Sequence, residues 1–208
     1  SSMEPTLLVG DRIFVSKYTY GFSKHSMPFS PNIYNKRLFK KTPEIGDLVV
    51  FKTPADNRTD YIKRLIGLPG DEIQFIDGNL FINKEPIVRK KKNIKKLARC
   101  GKSSFEVETF KETLPNGISH DVVYSKIGTM KNTALYKVPK DHYFLLGDNR
   151  DCSRDSRFLD SVGYVNSLNL VGKAQVIFFS NDTFISPLLK FWNINKSFRF
   201  ERLFKKIK

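Results

Sequence analysis

Hydrophobic and polar positions along this chain alternate or cluster in short runs, and most of the runs are strand length. Residues 11–17 (DRIFVSK), 47–52 (DLVVFK) and 60–67 (DYIKRLIG) read as three strands. Leu68-Pro69-Gly70-Asp71 is a turn by composition. Residues 72–76 and 79–83 flank Asp77-Gly78, a pair that favours a tight hairpin. From 84 to 137 the pattern degrades into basic and polar residues, with two strand-like pieces, SSFEVETF and HDVVYSKIG. Regular pattern returns at 141–147 (DHYFLLG) and 170–180 (LVGKAQVIFFS). Residues 23–41 read as a polar, proline-containing loop, and no internal repeat is visible. The pattern predicts a mostly β fold: an antiparallel β-sheet core with a small inserted β-rich subdomain. The core is expected in two parts, 1–83 and 138–190, around an insertion at 84–137, with a basic aromatic tail at 191–208.

Composition agrees. Of 208 residues 40% are hydrophobic, and Phe alone supplies 18, enough for a real core. No stretch approaches the roughly 18 apolar residues of a membrane-spanning helix. The chain begins at Ser1 rather than Met, so an upstream anchor or targeting segment is expected to lie outside it. With 36 Lys+Arg against 21 Asp+Glu the net charge is +15. Residues 89–102 (RKKKNIKKLARCGK) hold eight basic residues and no acid, and 190–208 hold seven against Glu201. Such runs attract nucleic acid or an anionic membrane, or are simply solvated. Cys100 and Cys152 lie far apart in a chain without a CxxC, which favours free thiols over a bridge. His25, His120 and His142 are scattered, so no metal site and no cofactor are expected.

Three segments carry candidate chemistry. They are Ser1-Ser2-Met3-Glu4-Pro5-Thr6-Leu7, then Tyr61-Ile62-Lys63-Arg64 with Gly67-Leu68-Pro69-Gly70-Asp71, and Gly147 to Arg157 (GDNRDCSRDSR). A lysine inside an apolar strand is either a snorkelling side chain with its head in water or a buried amine. The last segment, dense in turn formers and charges, is either a salt-bridged loop or part of a site.

Taken together these segments resemble the type I (leader) signal peptidases, membrane-bound Ser–Lys proteases of bacteria. The Ser2-Met3-x-Pro5-Thr6-Leu7, Gly46-Asp47, Tyr61-Ile62-Lys63-Arg64-x-x-Gly67-x-Pro69-Gly70-Asp71 and Gly147-Asp148-Asn149-Arg150-Asp151-x-Ser153-x-Asp155-Ser156-Arg157 blocks stand in the family's order. The likeness covers residues 1–81 and 138–180. It implies an antiparallel β-sheet catalytic core with Ser2 as nucleophile and Lys63 as general base. A serine hydroxyl needs a base to take its proton, and no His is near these blocks in sequence. A lysine serves only when neutral. From a reference pKa of ~10.4, work near pH ~8 asks for a depression of roughly 2–3 units, about 3–4 kcal/mol against the charged form. Burial among Tyr61, Ile62 and Leu65 has that sign, and Arg64 is expected to add like-charge repulsion.

The resemblance further implies that Ser153 orients the lysine and that Asp155, Arg157 and Arg64 brace the site, with Asp148 in support. The backbone N–H of Ser2 is the expected oxyanion donor. Met3, Leu7, Tyr61 and Ile62 match the pocket beside the cleaved bond, and Ile13, Val50 and Ile62 the pocket two residues back. As plain apolar residues these are equally core. Cys152 stands where Asn is common in the family. The implied partners are preprotein signal peptides, cleaved after small residues in an Ala-x-Ala-like pattern, and an anionic membrane surface. Nucleic acid is not expected. The implied location is the bacterial cell membrane, with the catalytic part on its outer face. The competing reading is a non-catalytic basic module binding anionic lipid or RNA, which leaves Ser2 and Lys63 without roles.

Overall fold

The computed structural model describes residues 1–22, 37, 39–101, 103–125, 131–181 and 198–207. Its strands are β1 (Asp11–Ser16), β2 (Leu48–Lys52), β3 (Asp60–Gly67), β4 (Glu72–Ile76), β5 (Asn79–Ile82), β6 (Glu85–Pro86), β7 (Val88–Cys100), β8 (Ser103–Thr113), β9 (Ser119–Ser125), β10 (Tyr136–Lys137), β11 (His142–Leu146), β12 (Val165–Asn166), β13 (Leu170–Ser180) and β14 (Lys205–Lys206). The fold is mostly β, as the pattern predicts, and every named strand pair is antiparallel. A seven-stranded sheet runs β1-β13-β2-β3-β11-β12, with β14 also on β13. A four-stranded sheet runs β10-β4-β5-β6, and a three-stranded one β7-β8-β9.

β3 stands at the meeting of three apolar clusters. Ile66 packs with Ile73, Phe75, Leu80, Phe144 and Leu146. Leu65 packs with Val49, Phe51, Tyr143 and Leu145. Ile62 packs against Met3, Leu7, Leu48 and Ile177. Strands covered on both faces need apolar residues at successive positions, which is why LVVF and YFLL read as continuous runs rather than alternations. Asp77 and Gly78 both hold positive φ, the requirement of the tight turn that joins β4 to β5.

The inserted region departs from expectation. Residues 88–100, read as a basic loop, form the long strand β7 against β8. Cross-strand charge explains it. Lys91 pairs with Glu108 at 2.6 Å, Lys92 with Asp121 at 2.5 Å, and Arg89 lies 4.9 Å from the rings of both Phe110 and Tyr124. The tail is not separate either. Phe198 bridges Asn181, β14 pairs with Val176 and Ile177, and the Arg202 guanidinium meets Asp11. Phe191 and Trp192 of that tail, and most of the 23–41 loop, lie outside the described residues.

Candidate active site

Four elements converge on one point. The turn at residues 2–7 presents Ser2, β3 presents Lys63, the end of β11 leads into Gly147 and Asp148, and a 3-10 turn at Arg150–Cys152 leads into Ser153. The Lys63 ammonium donates to Ser2 Oγ at 2.6 Å. Lys63 is only 3% exposed. Burial disfavours its charged form and pushes its pKa down to about 8. The carboxylates of Asp155 and Asp148 oppose that shift, and the Arg157 guanidinium assists it.

The like-charge contribution therefore comes from Arg157, not from Arg64 as its adjacency in sequence suggests. Successive β residues point to opposite faces, and Arg64 turns away to Asp148. Its Nε and Nη2 meet the two carboxylate oxygens at 2.8 Å each, and Nη1 donates to Gly46 C=O. Thr6 donates its hydroxyl to the same carboxylate. Burial works against the charged form of Asp148, but Arg64 and Thr6 hold its pKa below the usual range. Asp155 pairs with Arg157 at 2.8 Å and accepts the Gly147 N–H at 3.0 Å.

Ser153 follows the 3-10 turn and makes no hydrogen bond to Lys63. Its buried hydroxyl has no hydrogen-bond partner among the described residues. Gly147 separates it from the turn that carries Ser2. A Cβ built there would lie 2.1 Å from Ser153 Oγ and 2.5 Å from Ser2 C=O, so only glycine fits.

Of the expected pocket residues, Met3, Leu7, Ile13 and Ile62 share one apolar cluster. Val50 is the register partner of Ile62. Tyr61 belongs to the opposite face, packed edge-on to Phe51, with its ring centroid 5.3 Å from Lys63 Nζ. Met3 and Leu7 are buried, so in this state they are also core. Three cavities of about 370–460 Å³ have part of residues 201–207 in their walls, and neither Ser2 nor Lys63 lines any of these three. What lies open beside Lys63 is a strand edge. β3 pairs with β2 over Asp60–Arg64, but with β11 only from Arg64 onward.

Two features were missed in the sequence. Arg150 pairs with Glu112 of β8 at 2.5 Å, both fully buried, and donates to the Tyr124 hydroxyl. His120 sits between that pair and Asp148, 3.5 and 3.7 Å from the carboxylates, with neither ring nitrogen hydrogen-bonded. Burial lowers its pKa to about 4, so it is neutral. Glu112 and His120 lie in the region whose pattern carries no motif. The preference for free thiols is also corrected: Cys100 and Cys152 form a disulfide, their Cα atoms 5.5 Å apart. The fold closes that distance across a separation of 52 residues, which spacing alone does not reveal. A thiol at Cys152 is therefore not on offer to thiol reagents while the bond stands.

Residues 1–179 match the family described as signal peptidase, peptidase S26. Signal peptidase I of Rickettsia bellii (strain OSU 85-389) is 40% identical over 99% of this chain and 75% of its own length. Signal peptidase I of Rickettsia typhi (strain ATCC VR-144 / Wilmington) is 41% identical over 99% of this chain and 82% of its own. The crystal structure of a signal peptidase I from Enterococcus faecalis V583 shares 26% identity, covers 64% of this chain and 97% of that one, and has a TM-score of 0.38.

A buried lysine with a depressed pKa destabilises the fold, and the sign fixes the pH window. Below pH 8 both folded and unfolded Lys63 are protonated and the penalty is whole. Between about 8 and 10.5 only the unfolded state holds the proton, so stability rises with pH. Lys63→Met, similar in shape and uncharged, should raise stability at pH 7 by up to about 3 kcal/mol. The gain should fade by pH 10. Urea denaturation at the two pH values checks both statements.

Proposed function

The chain belongs to the signal peptidase family, peptidase S26, and we propose on that premise that Ser2 and Lys63 form its catalytic dyad. The enzyme is a serine endopeptidase that removes signal peptides from preproteins. One observation carries the dyad: a serine hydroxyl 2.6 Å from a buried lysine whose pKa is pushed down to about 8.

The steps follow from that contact. Neutral Lys63 accepts the Ser2 hydroxyl proton, and Oγ attacks the scissile carbonyl. The tetrahedral oxyanion is met by the Ser2 backbone N–H. Lys63, now an ammonium, returns its proton to the departing amine. It then takes a proton from the water that hydrolyses the acyl-enzyme. The substrate binds as an extended strand along the open Asp60–Lys63 edge of β3, where main-chain hydrogen bonds hold it in register. Ile62, Val50, Ile13, Met3 and Leu7 line shallow apolar pockets that admit small side chains, which gives the Ala-x-Ala-like preference.

The membrane surface is the second partner. Among the described residues no helix is long and apolar enough to cross a membrane. Association instead uses an aromatic face. Phe14 stacks on Phe178, and Phe179, Phe198 and Phe200 form a chain of ring contacts. Phe200 and Phe204 are 58% and 75% exposed, beside Lys205 and Lys206. Rings at headgroup level add binding that salt does not screen, and cations add a screened attraction to anionic lipid. A disulfide beside the site suits the oxidising outer face of the bacterial cell membrane.

Ser2→Ala and Lys63→Ala should each reduce preprotein cleavage by at least about 1,000-fold, and the double variant should lose little more, because the two act as a unit. Wild-type kcat/KM should rise with pH along an acid limb near 8. Cleavage that survives either substitution, or an acid limb near 10, contradicts the dyad. For the membrane, Phe200→Ser with Phe204→Ser should leave the circular dichroism spectrum unchanged and weaken binding to anionic vesicles several-fold in high salt. Co-sedimentation unchanged by the pair of substitutions would contradict the aromatic face.

A further inference from the structure

Cys100 ends β7, and Cys152 ends the 3-10 turn immediately before Ser153. Their bond stands at a three-way junction. The Arg99 N–H donates to Glu4 Oε2 at 2.7 Å, which ties the end of the ribbon to the turn that carries Ser2. Asn149 Nδ2 donates to Ser1 C=O at 3.2 Å and to Arg99 C=O at 3.4 Å. The Asn149 N–H donates to Ser2 C=O at 3.0 Å. Ribbon end, nucleophile turn and GDNRDCSRDSR block thus meet through hydrogen bonds and one covalent link.

Beyond these bonds and the Ser1 ammonium, which donates to Arg99 C=O at 2.7 Å, the apolar support under the ribbon end is small among the described residues. The apolar cluster beneath it has three buried members, Ala98, Val107 and Val123. Leu97 and Phe105 are largely exposed. A two-stranded ribbon with so little underneath is marginal by itself. Toward its other end the ribbon is anchored by the Arg150–Glu112 pair, and nearer the Cys100 end the Ser125 N–H, on the strand beside Val107, donates to Asp151. The nucleophile turn has no slack to absorb a displaced ribbon, since Ser2 C=O, Gly147 and Ser153 are already in contact.

We propose that the Cys100–Cys152 disulfide is a positioning device for catalysis: it clamps the β7–β8 ribbon end onto the nucleophile turn and so holds Ser2 in reach of Lys63. The cysteines are positioning residues, and the inference rests on the Ser2–Lys63 reading. Opening the bond takes two electrons and two protons, supplied by a dithiol that becomes a cyclic disulfide while Cys100 and Cys152 become thiols. A freed turn costs orientation, and a misplacement of about 1 Å costs about 100-fold. It also admits water to Lys63, whose low pKa depends on burial. The β3 edge that holds the substrate main chain is untouched, so the loss should fall on kcat more than on KM.

The test compares the full chain in three forms: oxidised wild type, wild type reduced with dithiothreitol, and the Cys100→Ser/Cys152→Ser double variant. Folding is followed by near-ultraviolet circular dichroism, and Ser2→Ala runs alongside. The expected result is a folded, unlinked enzyme with kcat lower by about 10–100-fold, KM changed less than kcat, and an acid limb moved upward. Reoxidation should restore the reduced wild type and not the double variant. A bond that only stabilised the fold would lower the melting temperature and leave the acid limb in place. Wild-type kcat and acid limb in a folded, unlinked enzyme overturn the proposal. So does unfolding of both unlinked forms, since the bond then acts on the fold and not on the turn. If Ser2→Ala cleaves normally, the dyad reading itself fails. If Ser2→Ala is inactive and the unlinked enzyme is unchanged, only the clamp fails.

Discussion

Keeping an ammonium-bearing side chain dry is the constraint on which the rest of this site depends. In the proposed dyad Lys63 can serve as a base only because burial works against its charge, and that burial is unfavourable to folding. Every other charge around it is therefore matched. Arg64 is held by Asp148, Arg157 by Asp155 and Arg150 by Glu112, all buried. A buried guanidinium without its carboxylate would leave an uncompensated charge, at a cost of about 3–5 kcal/mol. Buried beside it, it would also disturb the lysine. The pairs stabilise little by themselves. Their effect is to let a polar, turn-rich block sit against β3 without bringing water in.

This explains why the region between β5 and β10 cannot be treated as an ornament on the catalytic core. Glu112 on β8 supplies the carboxylate for Arg150, and its register partner His120 fills the space between two ion pairs as a neutral ring. The Val123 N–H donates to Asp148 C=O, the same peptide group whose Asn149 N–H donates to Ser2 C=O. The ribbon end and its disulfide continue the same support on the far side of the nucleophile turn. Sheet, insertion and turn share one buried polar network around Lys63.

Much of this was legible in the sequence, for physical reasons. β3, β4 and β13 were readable to the residue, and β5 to within one. Strands buried on both faces leave continuous apolar runs, and Asp-Gly fixes the turn between β4 and β5. The Ser2 and Lys63 blocks were readable through their family resemblance, and the structure brings the two side chains together. β7 was not readable, because its stability comes from acidic and aromatic partners on β8 and β9 rather than from an apolar face of its own. Glu112, His120 and the disulfide were not readable because each depends on contacts between residues far apart in sequence. Ser153 marks the opposite case. Its position matches the family, but its hydroxyl stands beside Gly147 without a bond to the lysine.

The central claim is that the fold itself, and not the substrate, lowers the pKa of Lys63. The most direct measurement is a pH titration of the Lys63 side-chain resonances in the full chain, labelled at lysine and assigned with Lys63→Met. A midpoint near 8 in the free enzyme is the expected result. A midpoint above 10, in the range of an ordinary solvated lysine, would contradict it.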